Sequence, residues 1–172
     1  GKAVCKPVSF SVRRGERVAL EGINGSGKSS LLKIIVGESI EHTGTVQLGS
    51  GLIISYVPQD TSHLQGGLSE LAEKSRIDES LFKAILRKMG FERVQFEKDI
   101  GDFSEGQKKK VLIAKSLCEQ AHLYIWDEPL NFIDIYSRMQ IERLIEEFSP
   151  AMVFVEHDGA FRNKAATKTV LL

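Results

Sequence analysis

Gly22-Ile23-Asn24-Gly25-Ser26-Gly27-Lys28-Ser29 is the segment on which the reading of this 172-residue chain turns. Glycines at both ends of a four-residue spacer precede Lys and Ser, the pattern of a phosphate-binding loop. The flanks agree with it. Arg17–Glu21 reads as a short buried strand, and Leu31, Leu32, Ile35 and Val36 mark one face of a helix over Lys28–Val36 that Gly37 stops. Phosphate needs backbone N–H groups converging on it. Glycines let the chain turn inward without side chains in the way, and a helix N-terminus adds partial positive charge. Gly22, Asn24, Gly25, Ser26, Gly27, Lys28, Ser29 and Ser30 are therefore the expected nucleotide contacts. Lys28 is expected at the β- and γ-phosphates. The Ser29 hydroxyl suits Mg²⁺, a hard cation that prefers oxygen ligands.

A second chemical signal lies downstream. Leu123-Tyr124-Ile125-Trp126-Asp127-Glu128 is an apolar strand ending in adjacent carboxylates. At the carboxyl edge of a parallel sheet, such a strand delivers its last residues to the ligand crevice. Asp127 is expected at Mg²⁺, and Glu128 at the water that attacks the γ-phosphate. His157 follows an apolar strand over 152–156, and Gln59 follows the strand end Tyr56-Val57-Pro58. Both lie where strands stop. His157 is expected near the γ-phosphate, and Gln59 near Mg²⁺ or the attacking water.

Working outward, the alternation over 44–48 predicts a strand, and 53–57 predicts another that Pro58 closes, giving a βαββ opening. Residues 59–103 turn helical. Asp78 is positioned to cap a helix containing Leu81, Ile85 and Leu86, with Gly90 ending it. Ser104 starts a helix with Val111, Ala114, Leu117 and Cys118 on one side and Lys108, Lys109 and Lys115 largely elsewhere. A helix over 137–148, the strand over 152–156 and a short closing helix and strand complete the chain. The expected fold class is α/β: a mostly parallel sheet with helices on both faces and a small helical subdomain over about 60–118, all within one domain, 1–172.

Composition narrows the classes of function. Hydrophobic residues at 42% and charged residues at 27% argue against disorder and disulfide scaffolds. No apolar run approaches the roughly 20 residues of a membrane span, so direct membrane insertion is not expected. Twenty-three Lys and Arg balance twenty-three Asp and Glu, so no net field draws the chain to nucleic acid. Cys5 and Cys118 lie far apart without metal-ligand spacing, which makes a reducing, cytoplasmic setting the default. Hydrophobic pattern begins almost at Gly1, which suggests a piece of a longer protein.

Phe103-Ser104-Glu105-Gly106-Gln107 lies between the phosphate loop and the carboxylate strand. It resembles the signature of ABC ATPases, usually Leu-Ser-Gly-Gly-Gln. The resemblance runs through nearly the whole chain in family order: 22–29 as Walker A, Gln59 as Q-loop, 104–107 as signature, 123–128 as Walker B, Asp134 as D-loop and His157 as switch. It implies a P-loop NTPase of ABC type that binds and hydrolyses ATP with Mg²⁺. It also implies a partner, a second ABC nucleotide-binding domain in the same chain or a homodimer. Ser104, Gly106 and Gln107 would then meet a nucleotide held mainly by that other domain. The adenine-stacking aromatic of the family falls upstream of this chain, and Phe10 is read as a core residue.

Two departures suggest a branch. Glu105 stands where the family usually has Gly, and Asp127-Glu128-Pro129 continues as Leu130-Asn131-Phe132-Ile133-Asp134. Both stretches are similar to the second nucleotide domain of ABC-F antibiotic-resistance proteins. That resemblance implies a ribosome-protection role, with the ribosome as partner of the full-length protein. The alternative is the ATP-binding subunit of a membrane ABC transporter. A structural ATP clamp like those of chromosome-organising proteins is disfavoured by the absence of a heptad tract.

Overall fold

Five parallel strands form a sheet in the order β2-β3-β4-β1-β5, where β1 is Arg17–Glu21, β2 Ile54–Val57, β3 Leu123–Asp127, β4 Met152–Val155 and β5 Lys168–Leu171. The computed structural model describes residues 4–172; residues 1–3, the start of the expected domain, lie outside the described residues. Seven α-helices accompany the sheet among the described residues: α1 (Lys28–Val36), α2 (Leu68–Lys74), α3 (Glu79–Lys88), α4 (Arg93–Phe96), α5 (Glu105–Cys118), α6 (Ile135–Phe148) and α7 (Gly159–Ala165).

Strand residues alternate between two cores because successive side chains leave opposite faces of a sheet. Val18, Leu20, Leu123, Ile125, Val153 and Val155 pack with Leu32 and Ile35 of α1. Ala19, Trp126, Met152 and Phe154 face the other way, among residues of α3, α5, α6 and α7. Both faces are covered, as a parallel sheet requires.

A buried polar knot sets how α5 sits on the sheet. The Trp126 indole N–H donates to Ser116 Oγ at 2.9 Å, and Ser116 Oγ lies 2.6 Å from Ser55 Oγ. These bonds tie β2, β3 and α5 together. Leaving any of the three polar groups unpaired in this environment would cost about 1–3 kcal/mol.

The expected strand over 44–48 does not form: these residues are irregular and exposed. Alternation describes a half-buried strand only where a neighbour supplies a hydrogen-bond ladder, and no described strand pairs here. The opening is therefore βαβ. The cap at Asp78 forms as its spacing predicts, its carboxylate accepting the Leu81 N–H at 2.9 Å. Phe82 takes the buried position in α3, while Leu81 is exposed.

Candidate nucleotide-binding site

Register brings the chemistry to one edge. Asp127 pairs with Val155, Trp126 with both Phe154 and Val57, and Ala19 with Phe154, so β1 to β4 end near one level. The chain after β1 enters α1 on one face, and the chain after β4 enters α7 on the other. Segments leaving neighbouring parallel strands toward opposite faces open a crevice between them.

The loop after β1 has a backbone suited to an anion. Gly25 and Gly27 adopt φ of 81° and 91°, values that favour glycine. Gly27 caps α1 without any side-chain bond, and the first turn of α1 carries no acidic residue. Its leading N–H groups and helix dipole thus face an open cleft. Lys28 is buried, and its ammonium donates to the carbonyls of Gly22 at 2.7 Å and Ile23 at 2.8 Å, with Ser26 Oγ at 3.4 Å. The loop therefore holds the Lys28 ammonium in place before phosphate arrives.

Across the cleft, Glu128 begins the loop after β3 with φ of 48°, a left-handed conformation rare for a residue with a Cβ. Two hydrogen bonds hold its side chain. Oε1 lies 2.9 Å from His157 Nε2, and Oε2 accepts from Asn131 Nδ2 at 3.0 Å. Burial pushes the Glu128 pKa up, but the amides of Gln59 and Asn131 and the His157 ring outweigh it, leaving the carboxyl below its usual value. Glu128 is thus ionised at neutral pH and able to accept a proton.

Asp127 is 1% exposed, and its Oδ1 has no hydrogen-bond partner among the described residues. Burial raises its pKa, opposed by the Ser29 hydroxyl and by Lys109 and Lys33, while Glu128 adds to the rise. A buried, unpartnered carboxylate oxygen beside a serine hydroxyl fits a hard divalent cation that keeps part of its water shell. Ser29, Asp127 and Gln59 line one hollow of about 480 Å³. No group of three His, Cys, Asp or Glu side chains converges among the described residues.

A neighbouring cleft of about 450 Å³ is lined by Asn24, Gly25, Gly27, Lys28, Ser29, Ser30, Gln59, Glu128 and His157, with Val4 at its rim. Gly22 and Ser26 sit behind it, bound to the Lys28 ammonium. Ser104, Gly106 and Gln107 do not line it. Ser104 caps α5 by accepting the Gln107 N–H at 3.2 Å, and the Gln107 side chain returns a bond to the Ser104 N–H at 3.0 Å. The Asp134 carboxylate caps α6 and meets the Lys110 ammonium at 2.7 Å.

Three further residues shape the site. Asn131 clamps Glu128 and is polar three positions after it, a weak signal. Glu156 is buried directly before His157 and holds both catalytic-edge loops from within. Lys109, expected away from the Val111 side of α5, is itself buried at 2% exposure and donates to the Pro58 carbonyl at 3.2 Å. Charge alone predicts exposure for a lysine. Burial lowers the Lys109 pKa, and the nearby carboxylates of Asp127, Glu128, Glu156 and Glu105 oppose that shift.

Comparison with known proteins places the fold in a family. The family described as ABC transporter matches residues 5–131. The ribosome protection protein VmlR of Bacillus subtilis is 29% identical over 99% of this chain and 32% of its own length. ABC transporter F family member 2 of Arabidopsis thaliana is 29% identical over 98% of this chain and 26% of its own length. The chain thus spans about a third or less of these relatives. A solved ATP-binding subunit of an ABC transporter superposes with a TM-score of 0.82 at 26% identity, over 98% of this chain and 79% of that one.

Proposed function

The chain belongs to the ABC transporter family, and from that premise we propose that it binds ATP in the Lys28 cleft and hydrolyses it with Glu128 as general base. The observation that carries this reading is the 2.9 Å contact between Glu128 Oε1 and His157 Nε2, which line the same cleft as Lys28. The γ-phosphate enters between them. Lys28 exchanges its bonds to the Gly22 and Ile23 carbonyls for phosphate oxygens, and the N–H groups at the start of α1 take the β-phosphate. Ser29, Asp127 and Gln59 would hold Mg²⁺, which when bound neutralises charge developing on the phosphates. Glu128 draws the proton from the attacking water, and Asn131 and His157 keep its carboxylate aimed. His157 also bonds the transferred phosphoryl group.

Ser104, Gly106 and Gln107 bind the nucleotide of a second ABC domain, in the same full-length chain or in another copy. ATP then joins the two domains, and hydrolysis parts them. The full-length protein acts at the ribosome in the ABC-F manner. Its similarity to VmlR supports this, as do Glu105 and the 130–134 stretch. The superposition on a transporter subunit favours the second reading, docking on a membrane permease. Among the described residues no helix is long and apolar enough to cross a membrane.

The test is full-length Glu128→Gln with ATP. Hydrolysis is expected to fall by about 10²–10⁴-fold with ATP still bound, and the protein is expected to co-sediment with ribosomes. Unchanged phosphate release removes Glu128 from its role. Failure to co-sediment, with capture by a permease instead, selects the transport reading.

A further inference from the structure

Glu105 departs from the usual glycine, and its carboxylate sits at the first turn of α5. The structure turns it away from the Lys28 cleft: Glu105 Oε2 accepts the Thr61 hydroxyl at 2.6 Å. Thr61 is 2% exposed, so this bond satisfies a hydroxyl that water does not reach. One turn along α5, the buried Lys109 ammonium donates to the Pro58 carbonyl at 3.2 Å. Pro58 and Thr61 bracket Gln59, which lines both the Lys28 cleft and the adjoining hollow. Directly after it the chain turns, with Leu64 N–H bonded to the Thr61 carbonyl at 3.1 Å and Ser62 bonded to the Asp60 carboxylate.

We infer that Glu105 and Lys109 are positioning residues that grip both flanks of Gln59 and hold its amide at the nucleotide. This inference rests on the proposed role of Gln59. Glu105 lies in the first turn of α5 with Gly106 and Gln107, directly after Ser104, and Lys109 follows one turn on. A shift of Gln59 toward one nucleotide is therefore passed to residues that serve the nucleotide of the paired domain. An acid and a base spaced by four residues on one helix face suit the task, since each anchors one side of a short loop. Glycine at position 105 would leave the Thr61 hydroxyl without this acceptor.

The experiment measures kcat, KM and affinity for non-hydrolysed ATP in the full chain. Thr61→Val and Glu105→Ala are each expected to lower kcat about tenfold, as a loosened catalytic group does, with ATP affinity held within about twofold. Thr61→Ser and Glu105→Gln keep the donor and an acceptor, and are expected to restore kcat to within about twofold. Because the grip acts through Gln59, Gln59→Ala with Thr61→Val should be no slower than Gln59→Ala alone. A slow Gln59→Ala chain beside a Thr61→Val chain of normal kcat overturns the grip and leaves the proposed function standing. Additive losses also overturn it, because they mark Thr61 as a separate structural contact. A Gln59→Ala chain that hydrolyses ATP normally overturns both the role of Gln59 and the grip.

Discussion

The Glu156 carboxylate accepts the backbone N–H of Leu130 at 3.0 Å, joining the loop after β4 to the loop after β3. Its other oxygen accepts the N–H groups of His157 at 2.9 Å and Asp158 at 3.4 Å. One buried carboxylate thereby sets the separation of the loops that carry Glu128 and His157. Glu156→Ala leaves these three donors without that acceptor, and the expected loss of stability is about 2–4 kcal/mol. Denaturant unfolding of the nucleotide-free protein measures it; a midpoint equal to wild type would show that the donors find other partners.

Gly106 is short of space on one side. A Cβ there would run into the backbone carbonyl oxygen of Phe132, a residue already held at a φ of 66°. Backbone cannot swing aside as a long side chain does, so Gly106→Ala must displace either the start of α5 or the loop before α6. Overpacking of this kind costs about 1–3 kcal/mol. Thermal unfolding of nucleotide-free Gly106→Ala should fall below wild type; an equal midpoint would show that the Phe132 loop gives way without cost.

Asp127 carries a cost in the nucleotide-free state, because burial works against its charge and Oδ1 lacks a partner. Asp127→Asn relieves the charge and is expected to raise nucleotide-free stability at neutral pH by about 0.5–2 kcal/mol. The same change removes a carboxylate oxygen from the proposed cation site. At ATP and Mg²⁺ about a hundredfold above the dissociation constant, wild type gains about 2.7 kcal/mol from ligand binding, and the variant should gain far less. Calorimetric melting with and without ATP and Mg²⁺ separates the two effects; a variant less stable than wild type without ligand contradicts the account.

Asp134 titrates at the junction of α5 and α6. Partial burial pushes its pKa up, but the Lys110 ammonium and two hydrogen bonds from Ser137 outweigh that and hold it at about 2. A carboxyl lowered on folding stabilises the protein above its unfolded pKa and loses that contribution as pH falls toward the folded value. The loss falls between about pH 4 and pH 2. Its side chain is 52% exposed, so solvent screening limits the loss to about 0–1 kcal/mol. Asp134→Asn should flatten the pH dependence of stability in that window. An unaltered slope would mean the Lys110 pair contributes nothing there.

Much of the site was legible because its signals are local. The turn from β1 into α1, the caps at Asp78 and Ser104, and the carboxylates ending β3 each depend on a few neighbouring residues. Other features were not legible for a physical reason. The strand expected over 44–48 has the right alternation, yet a strand exists only with a partner. Lys109 carries the same charge as Lys108 and differs only in what surrounds it after folding. Glu156 is an ordinary polar residue in the sequence and acquires its task from the Leu130 N–H, 26 positions back along the chain.

By itself, the sequence determined the phosphate loop, the positions of the carboxylates and the alternation of strand with helix, since turn geometry, capping and periodicity operate over about one or two helical turns. Only the tertiary structure decided the strand order that sets Glu128 opposite Lys28, the hold of Glu156 on both loops, and the grip of α5 on Gln59. Those relationships join residues tens of positions apart. They arise when pairing and burial make one arrangement of many local pieces lower in free energy than the others.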